Sequence, residues 1–335
     1  MNTVHHVDDR GSSIMLDGMS DTDGYAIAPR IADISSLPTV QQTLKNAIHC
    51  TGIGLHSGED IALCLYPAEA GTGIVFKRTD PVAGSPLIPA LYDNVSDTRL
   101  CSTISNGDGV SVATVEHLMS ALAGCGVDNA LIEVSGAEVP VMDGSAEPFV
   151  FLIECAGLEQ QLAPRQYIKV LRRVEVEENG NRAVIEPSDC LSIELTIDFP
   201  HEVIGKQSLR VDVTNNLFKS DISRARTFGL LEEVETMRKM GLARGGSLDN
   251  AVVIGADAVL NAEGLRYDDE FVRHKILDCV GDLALAGMPL LGAVSAYRTG
   301  HALNNKLLRA LFSDAANWAI WTDESVSQAY LSAAE

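Results

Sequence analysis

The sequence predicts an α+β fold built from two similar halves, each a sheet packed on helices, and three observations carry that reading. Stretches with strand-like alternation are followed by stretches with helical spacing. That order occurs twice along 335 residues, a length that accommodates two domains of ordinary size. Hydrophobic residues make up 46% of the chain and aromatic ones only 5%, so a sizeable core can be assembled from Val, Leu, Ile and Ala.

Residues 1–38 are rich in Asp, Ser and Gly, carry no sustained periodicity and end at Leu37-Pro38, which predicts a loosely ordered acidic extension. A first α+β domain is expected over 39–164. Its strands are read at Thr43–Cys50 and, by clean alternation, at Asp60–Tyr66. Thr114 opens a helix in which Val115, Leu118, Met119 and Leu122 fall at i, i+3, i+4 and i+7, an apolar stripe that stops at Gly124. A strand over Asn129–Val134 and a helix over Glu147–Ala156 follow. A second domain, expected over 165–335, repeats the order with strands Tyr167–Val176, Arg182–Glu186 and Ser192–Asp198. Its helices are read at Glu232–Met240, Glu270–Ala286 and Lys306–Trp318, with the apolar strand Leu291–Tyr297 between the last two.

The charge balance is 46 acidic against 25 basic residues, a net −21, and such a surface repels polyphosphate backbones, which argues against a nucleic-acid partner. No apolar run approaches the roughly 20 residues that cross a bilayer. The start MNTVHHVDDRGSS has no basic region followed by an apolar one, so a cytoplasmic protein is expected. Seven cysteines at 50, 64, 101, 125, 155, 190 and 279 never form a Cys-x-x-Cys pair, which argues against a thiolate zinc cluster and for reduced, mostly buried thiols.

Eight histidines can be weighed one by one. His5 and His6 fall in the extension. His49 and His56 lie in or beside strands, and His56 sits in a Gly-rich stretch where a tight turn or a satisfied hydrogen bond accounts for it. His201 opens His-Glu-Val-Ile-Gly, where Gly205 stands in place of the second histidine of a His-Glu-x-x-His zinc motif. Three remain. His274, Asp278 and Asp282 are spaced by four and share one helical face, amid Phe271, Ile276, Leu277, Val280 and Leu283. The spacing alone fits a surface His-Asp pair on a solvated face. With apolar neighbours nearly all round, a buried histidine and two buried carboxylates need compensation, and a divalent metal supplies it. Glu116-His117 falls in the first turn of its helix, where a Glu beside a metal ligand can act as base on a water. His301 follows a glycine directly after a strand, a loop position suited to a catalytic group.

Five motifs, Thr-Val-Glu-His-Leu-Met (114–119), Val-Met-Asp-Gly-Ser-Ala (141–146), Arg-Ala-Arg-Thr-Phe-Gly (224–229), Phe-Val-Arg-His-Lys-Ile-Leu-Asp (271–278) and Gly-His-Ala-Leu-Asn-Asn-Lys (300–306), stand in one order between about Gln42 and Leu311. Together they closely resemble the UDP-3-O-acyl-N-acetylglucosamine deacetylase family, zinc enzymes of bacterial lipid A synthesis. The resemblance implies that the helical layers of the two domains face each other in a β-α-α-β sandwich with the active site between them. It implies hydrolysis of the N-acetyl group of UDP-3-O-(3-hydroxyacyl)-N-acetylglucosamine, with His117, His274 and Asp278 holding Zn2+. Glu116 matches the general base. His301 matches the group that stabilises the oxyanion and protonates the leaving amine, with Asp282 orienting it. Thr227 matches a hydrogen-bond partner of the tetrahedral intermediate, and Lys275 lies beside the site. Phe199 resembles an aromatic that stacks on uracil, Phe228 lies in a matched motif as a further substrate contact, and Arg298 stands where the family commonly has a Lys. The implied partner is a small acylated UDP-sugar, met by a monomer with transient proximity to a membrane surface. Residues 1–38 precede the usual start of the family and are extra.

Overall fold

The computed structural model describes residues 37–323, which fall in one compact unit. Apart from Leu37 and Pro38, the extension expected over residues 1–38 lies outside the described residues. Among these residues no helix is long and apolar enough to cross a membrane.

The first sheet has five strands in the order Ile48–Ile53, Asp60–Pro67, Ala130–Val134, Ile74–Arg78 and Leu87–Pro89. In Asp60–Pro67 the residues Ile61, Leu63 and Leu65 are buried while Asp60 and Ala62 are exposed, as period-two alternation demands of a half-covered strand. Helix α1 (Glu116–Cys125) packs beside α2 (Glu147–Ala156), and α2 touches the strand Ile48–Ile53. After the second sheet's first strands come a single turn α3 (Asn215–Leu217), a π-helical turn at Phe218–Ile222 and α4 (Leu231–Lys239). The longer α5 (Glu270–Ala284) and α6 (His301–Phe312) follow.

Leu290–Tyr297 is the axis of the second sheet. It runs antiparallel to Asn181–Pro187 and parallel to Leu191–Asp198 and, at its start, to Tyr167–Val170. α5 lies on Leu191–Asp198 and Lys206–Asp212, and α6 lies on Val174–Glu178 and Asn181–Pro187. Because α1 packs directly against α5, the order through the molecule is sheet, helices, helices, sheet. The α+β class expected from the sequence is the one the chain adopts. The crossing is close at one point, since a Cβ added to Gly281 of α5 would lie 2.0 Å from the Glu116 carbonyl oxygen. Only a residue without a side chain lets the two backbones meet there.

Several element boundaries differ from the sequence expectation, some for a local reason and one because distant residues hold the chain. The run Thr43–Cys50 is two strands, Val40–Leu44 and Ile48–Ile53. The bend between them is held from afar, with the Lys45 N–H donating to the Gly157 carbonyl and the Asn46 amide to the Ala156 carbonyl. Tyr167–Val176 likewise breaks, and its second part becomes Val174–Glu178, joined to Asn181–Pro187 by an Asn179-Gly180 hairpin with both φ values positive. The helix read at Lys306–Trp318 begins a turn and a half earlier at His301 and ends at Phe312, its apolar stripe being Leu303, Leu307, Leu308 and Leu311. Past it, the Asp314 carboxylate accepts from the Ala316 N–H and starts a separate turn, and Trp318 opens a strand. Thr114 has φ of 58° and stands outside α1, which starts at Glu116. The strands Ile74–Arg78, Leu158–Pro164 and Lys206–Asp212 were not expected.

Candidate metal centre

Two elements bring three ligand-type side chains together. His117 comes from the first turn of α1, and His274 and Asp278 from successive turns of α5. Asp278 Oδ1 stands 3.5 Å from His117 Nε2 and 3.3 Å from His274 Nε2, and all three residues are buried. His274 donates its Nδ1–H to the Ala225 carbonyl at 3.0 Å, which leaves its Nε2 as a lone pair aimed at the other two. Burial lowers the His274 pKa to about 3, so the ring is neutral. Burial would raise Asp278, but the charges around it, the Lys275 ammonium among them, hold it well below the usual carboxylate range. Asp278 Oδ1 has no hydrogen-bond donor, although it is buried. Three ligand-type atoms within 4.8 Å of one another, one of them a buried carboxylate oxygen without a hydrogen-bond partner, fit a metal ion.

A second pair faces the triad. The Glu116 carboxylate and the His301 imidazole approach to 3.7 Å, Oε1 to Nε2. Burial pushes the Glu116 pKa up, against the lowering pull of His301 and His117. Burial would lower His301, but the Asp282 and Glu116 carboxylates outweigh it and push its pKa up to about 10. His301 Nδ1 donates to Asp282 Oδ2 at 2.9 Å, and Asn304 Nδ2 donates to the same oxygen at 2.8 Å. The site thus holds one carboxylate made more basic by burial and one imidazolium held in its charged form, side by side. Such a pair can remove a proton and supply one in the same reaction.

Lys275 Nζ donates to Asp278 Oδ2 at 2.8 Å and lies 5.8 Å from the centre of the Phe228 ring. Phe228 packs edge-on against Phe271 and Phe199, with its ring centre 6.2 Å from that of His274. Thr227 is half-buried, its N–H donating to the Gly144 carbonyl and its own carbonyl accepting from Val252. Arg298 starts the turn between the strand Leu290–Tyr297 and α6, with φ of 52° and its N–H donating to the Thr196 carbonyl. A non-glycine residue in that left-handed region is strained, a cost that loops beside active sites often carry.

His56 stands in a tight turn, as its Gly-rich stretch predicts, closed by the Gly58 N–H donating to the Gly54 carbonyl. Its backbone N–H donates to Glu138 and its carbonyl accepts from the Arg244 N–H, while both ring nitrogens are buried without a hydrogen-bond partner. His56 lines an apolar cavity of about 260 Å³ together with Thr227, Phe228, Val234, Met237 and Val253.

Sequence reasoning missed the supports. Arg226 donates through its backbone N–H, Nε and Nη2 to the Glu270 carboxylate, and Glu270 also accepts from the Arg266 N–H. This fully buried pair fastens the loop that carries Ala225 and Thr227 to the start of α5. Removing one partner of such a pair typically costs about 3–5 kcal/mol. Ser102 donates its hydroxyl to Asp282 Oδ1 at 2.6 Å and its N–H to Glu116 Oε2 at 3.0 Å. Arg226 and Asn304 sit inside the motifs read above, so position could have flagged them, whereas Ser102 carries no pattern of its own.

Residues 41–313 match the family model described as LpxC, UDP-3-O-acyl N-acetylglycosamine deacetylase. A UDP-3-O-acyl-N-acetylglucosamine deacetylase of Pseudomonas entomophila (strain L48) is 51% identical over 296 residues, which cover 87% of this chain and 96% of that relative.

Proposed function

Because the chain belongs to the UDP-3-O-acyl-N-acetylglycosamine deacetylase family, we propose that it carries out that hydrolysis with Glu116 and His301 as its proton-transfer pair beside a zinc ion on His117, His274 and Asp278. The reaction itself, removal of the acetyl group from an acylated UDP-N-acetylglucosamine on the way to lipid A, follows from membership. The observation that carries the rest is the 3.7 Å approach of Glu116 to His301 beside a triad of converging lone pairs.

Two imidazole nitrogens and one carboxylate oxygen, with a fourth position left open, form a ligand set of hydrolytic zinc sites. Held by these residues, a zinc ion would polarise the acetamide carbonyl and lower the pKa of a water so that a base can deprotonate it. Glu116, ionised, accepts the proton of the attacking water, and its burial makes it the stronger base. His301, protonated and aimed by Asp282, offsets the negative charge that grows on the carbonyl oxygen. Thr227 adds a hydroxyl hydrogen bond to that oxygen. The glucosamine nitrogen then leaves with a proton from His301 or Glu116, and acetate is released. Lys275 keeps Asp278 ionised.

On the substrate side, Phe199 and Phe228 offer ring faces to the nucleotide and Arg298 a charge for the diphosphate. The apolar cavity beside Thr227 is of a kind to take the 3-hydroxyacyl chain. The same reading holds the enzyme to be a cytoplasmic monomer that meets its lipid-bearing substrate near a membrane surface. It divides the chain at about residue 164, where one sheet's residues give way to the other's.

Metal analysis tests the centre directly. About one zinc per chain is expected, falling sharply when His117, His274 or Asp278 is replaced by Ala. Stoichiometric zinc in the triple variant would refute the ligand set.

A further inference from the structure

Ser102 lies in the loop between the short strands Val95–Asp97 and Thr103–Ser105, outside every motif, yet it is buried at the junction of α1 and α5. Three of its polar groups are engaged there. Its hydroxyl donates to Asp282 Oδ1 at 2.6 Å, its N–H donates to Glu116 Oε2 at 3.0 Å, and its carbonyl accepts from the Val115 N–H at 3.3 Å.

Each bond restrains something different. The Val115 bond fixes where α1 starts. The N–H holds one oxygen of Glu116 and leaves Oε1, the oxygen nearer His301, free to take a proton. The hydroxyl occupies Asp282 Oδ1, while Oδ2 accepts from His301 and Asn304. A carboxylate on a helix can swing about its last torsion. With a donor on each oxygen, Asp282 is held in one rotamer, and the imidazole it aims is held with it. Asn304 is itself kept in orientation by the Thr299 hydroxyl at 2.6 Å. Nothing else among the described bonds holds Asp282 Oδ1 apart from a longer, 3.2 Å contact with His301 itself.

We propose that Ser102 is a positioning residue for the reaction: its hydroxyl locks Asp282, and through it His301, in register with Glu116, which its own N–H holds. The proposal rests on the division of labour between Glu116 and His301 set out above. A group that acts only by aiming another should change turnover more than substrate affinity, and should matter only while its target is present.

The experiment is a double-substitution cycle on the full-length zinc-loaded enzyme, with kcat, KM, metal content and thermal midpoint measured for each member. Ser102→Ala is expected to retain zinc and to lose about tenfold in kcat with KM changed less than twofold. In an Asp282→Asn background the same change is expected to cost less than twofold. An equal loss in both backgrounds, a loss confined to KM, or unchanged kcat for Ser102→Ala overturns the proposal. Should Ser102→Ala fail to fold, Ser102→Cys, which keeps a side-chain atom in place but is a weaker donor, carries the same comparison. Asp282→Asn alone reports on the underlying reading: if it keeps full turnover, the His301 arm is wrong, whereas a crippled Asp282→Asn beside an unaffected Ser102→Ala removes only the present inference.

Discussion

Helices α5 and α4 are made of opposite materials. Twelve of the fifteen residues of α5 are buried, among them His274, Asp278 and Asp282, and a glycine seats it against α1. None of the nine residues of α4 is fully buried. α4 draws local support from Glu232 and Glu233 in its first turn and Arg238 and Lys239 in its last, each complementing the helix dipole, and it presents Val234 and Met237 to the apolar cavity. The difference teaches where precision is needed. Proton transfer requires groups held to within about half an ångström, which packing on all sides provides. The wall proposed here for a flexible acyl chain needs only apolar surface, and a weakly anchored helix can adjust to it.

The comparison breaks at its strongest point if the rigid region tolerates chemical change. Glu116→Gln keeps shape and a hydrogen bond from the Ser102 N–H but cannot accept a proton. It should keep zinc and fold while losing on the order of 10²–10⁴ in kcat. Near-normal turnover for this variant would remove Glu116 as the base.

His301→Ala should cost somewhat less, on the order of 10²–10³ in kcat, by removing a charge rather than a base. The pH profile separates the two roles. As the proposed base Glu116 must be ionised, and burial raises its pKa, so the acid limb should lie above the ordinary carboxylate range. His301 must be protonated, and its pKa is pushed up to about 10, so activity should fall as pH rises through that value. His301→Ala should abolish the basic limb and leave the acid one. A variant with both limbs intact would assign the basic limb to another group.

Gly281→Ala tests rigidity without touching any reacting group. The added Cβ would meet the Glu116 carbonyl oxygen at 2.0 Å, so α1 must shift and carry Glu116 and His117 with it. A displacement of that order should cost about 10–10² in kcat, with a lower thermal midpoint. If kcat and zinc content are unchanged, the crossing is looser than its geometry implies.

How much of this was legible in the sequence follows from the same contrast. Along α5 the informative residues repeat every four positions, so His274, Asp278 and Asp282 could be placed on one face, amid apolar neighbours, from spacing alone. The motifs marked Glu116 and His301, because their chemistry is local to the side chain. Ser102 and Gly281 were silent, since a serine hydroxyl and a missing Cβ acquire meaning only from partners brought close by folding, in the case of Ser102 a partner 180 positions away. The same holds for the break after Leu44. Its bend is set by carbonyls of Ala156 and Gly157, so a run that reads as one strand in isolation becomes two. There a tertiary bond overrode the local preference.

The smallest effect is expected on the adaptable side. Val234 sits in α4 half-buried against the cavity, so Val234→Trp should narrow the cavity without straining a packed core. For a substrate with a long acyl chain, KM should rise about five- to tenfold, the lower end of the roughly 1–3 kcal/mol that a hydrophobic pocket uses to discriminate chain size. For a substrate with a truncated chain, KM should stay near that of the parent. Turnover of both should hold, because α5 and the residues it carries do not contact Val234 in any hydrogen bond or ion pair among the described residues. Steady-state kinetics over a series of graded chain lengths measures this directly. A uniform rise in KM at every length would move the acyl chain out of this cavity, and a fall in kcat at every length would mean that α4 is coupled to the rigid centre after all.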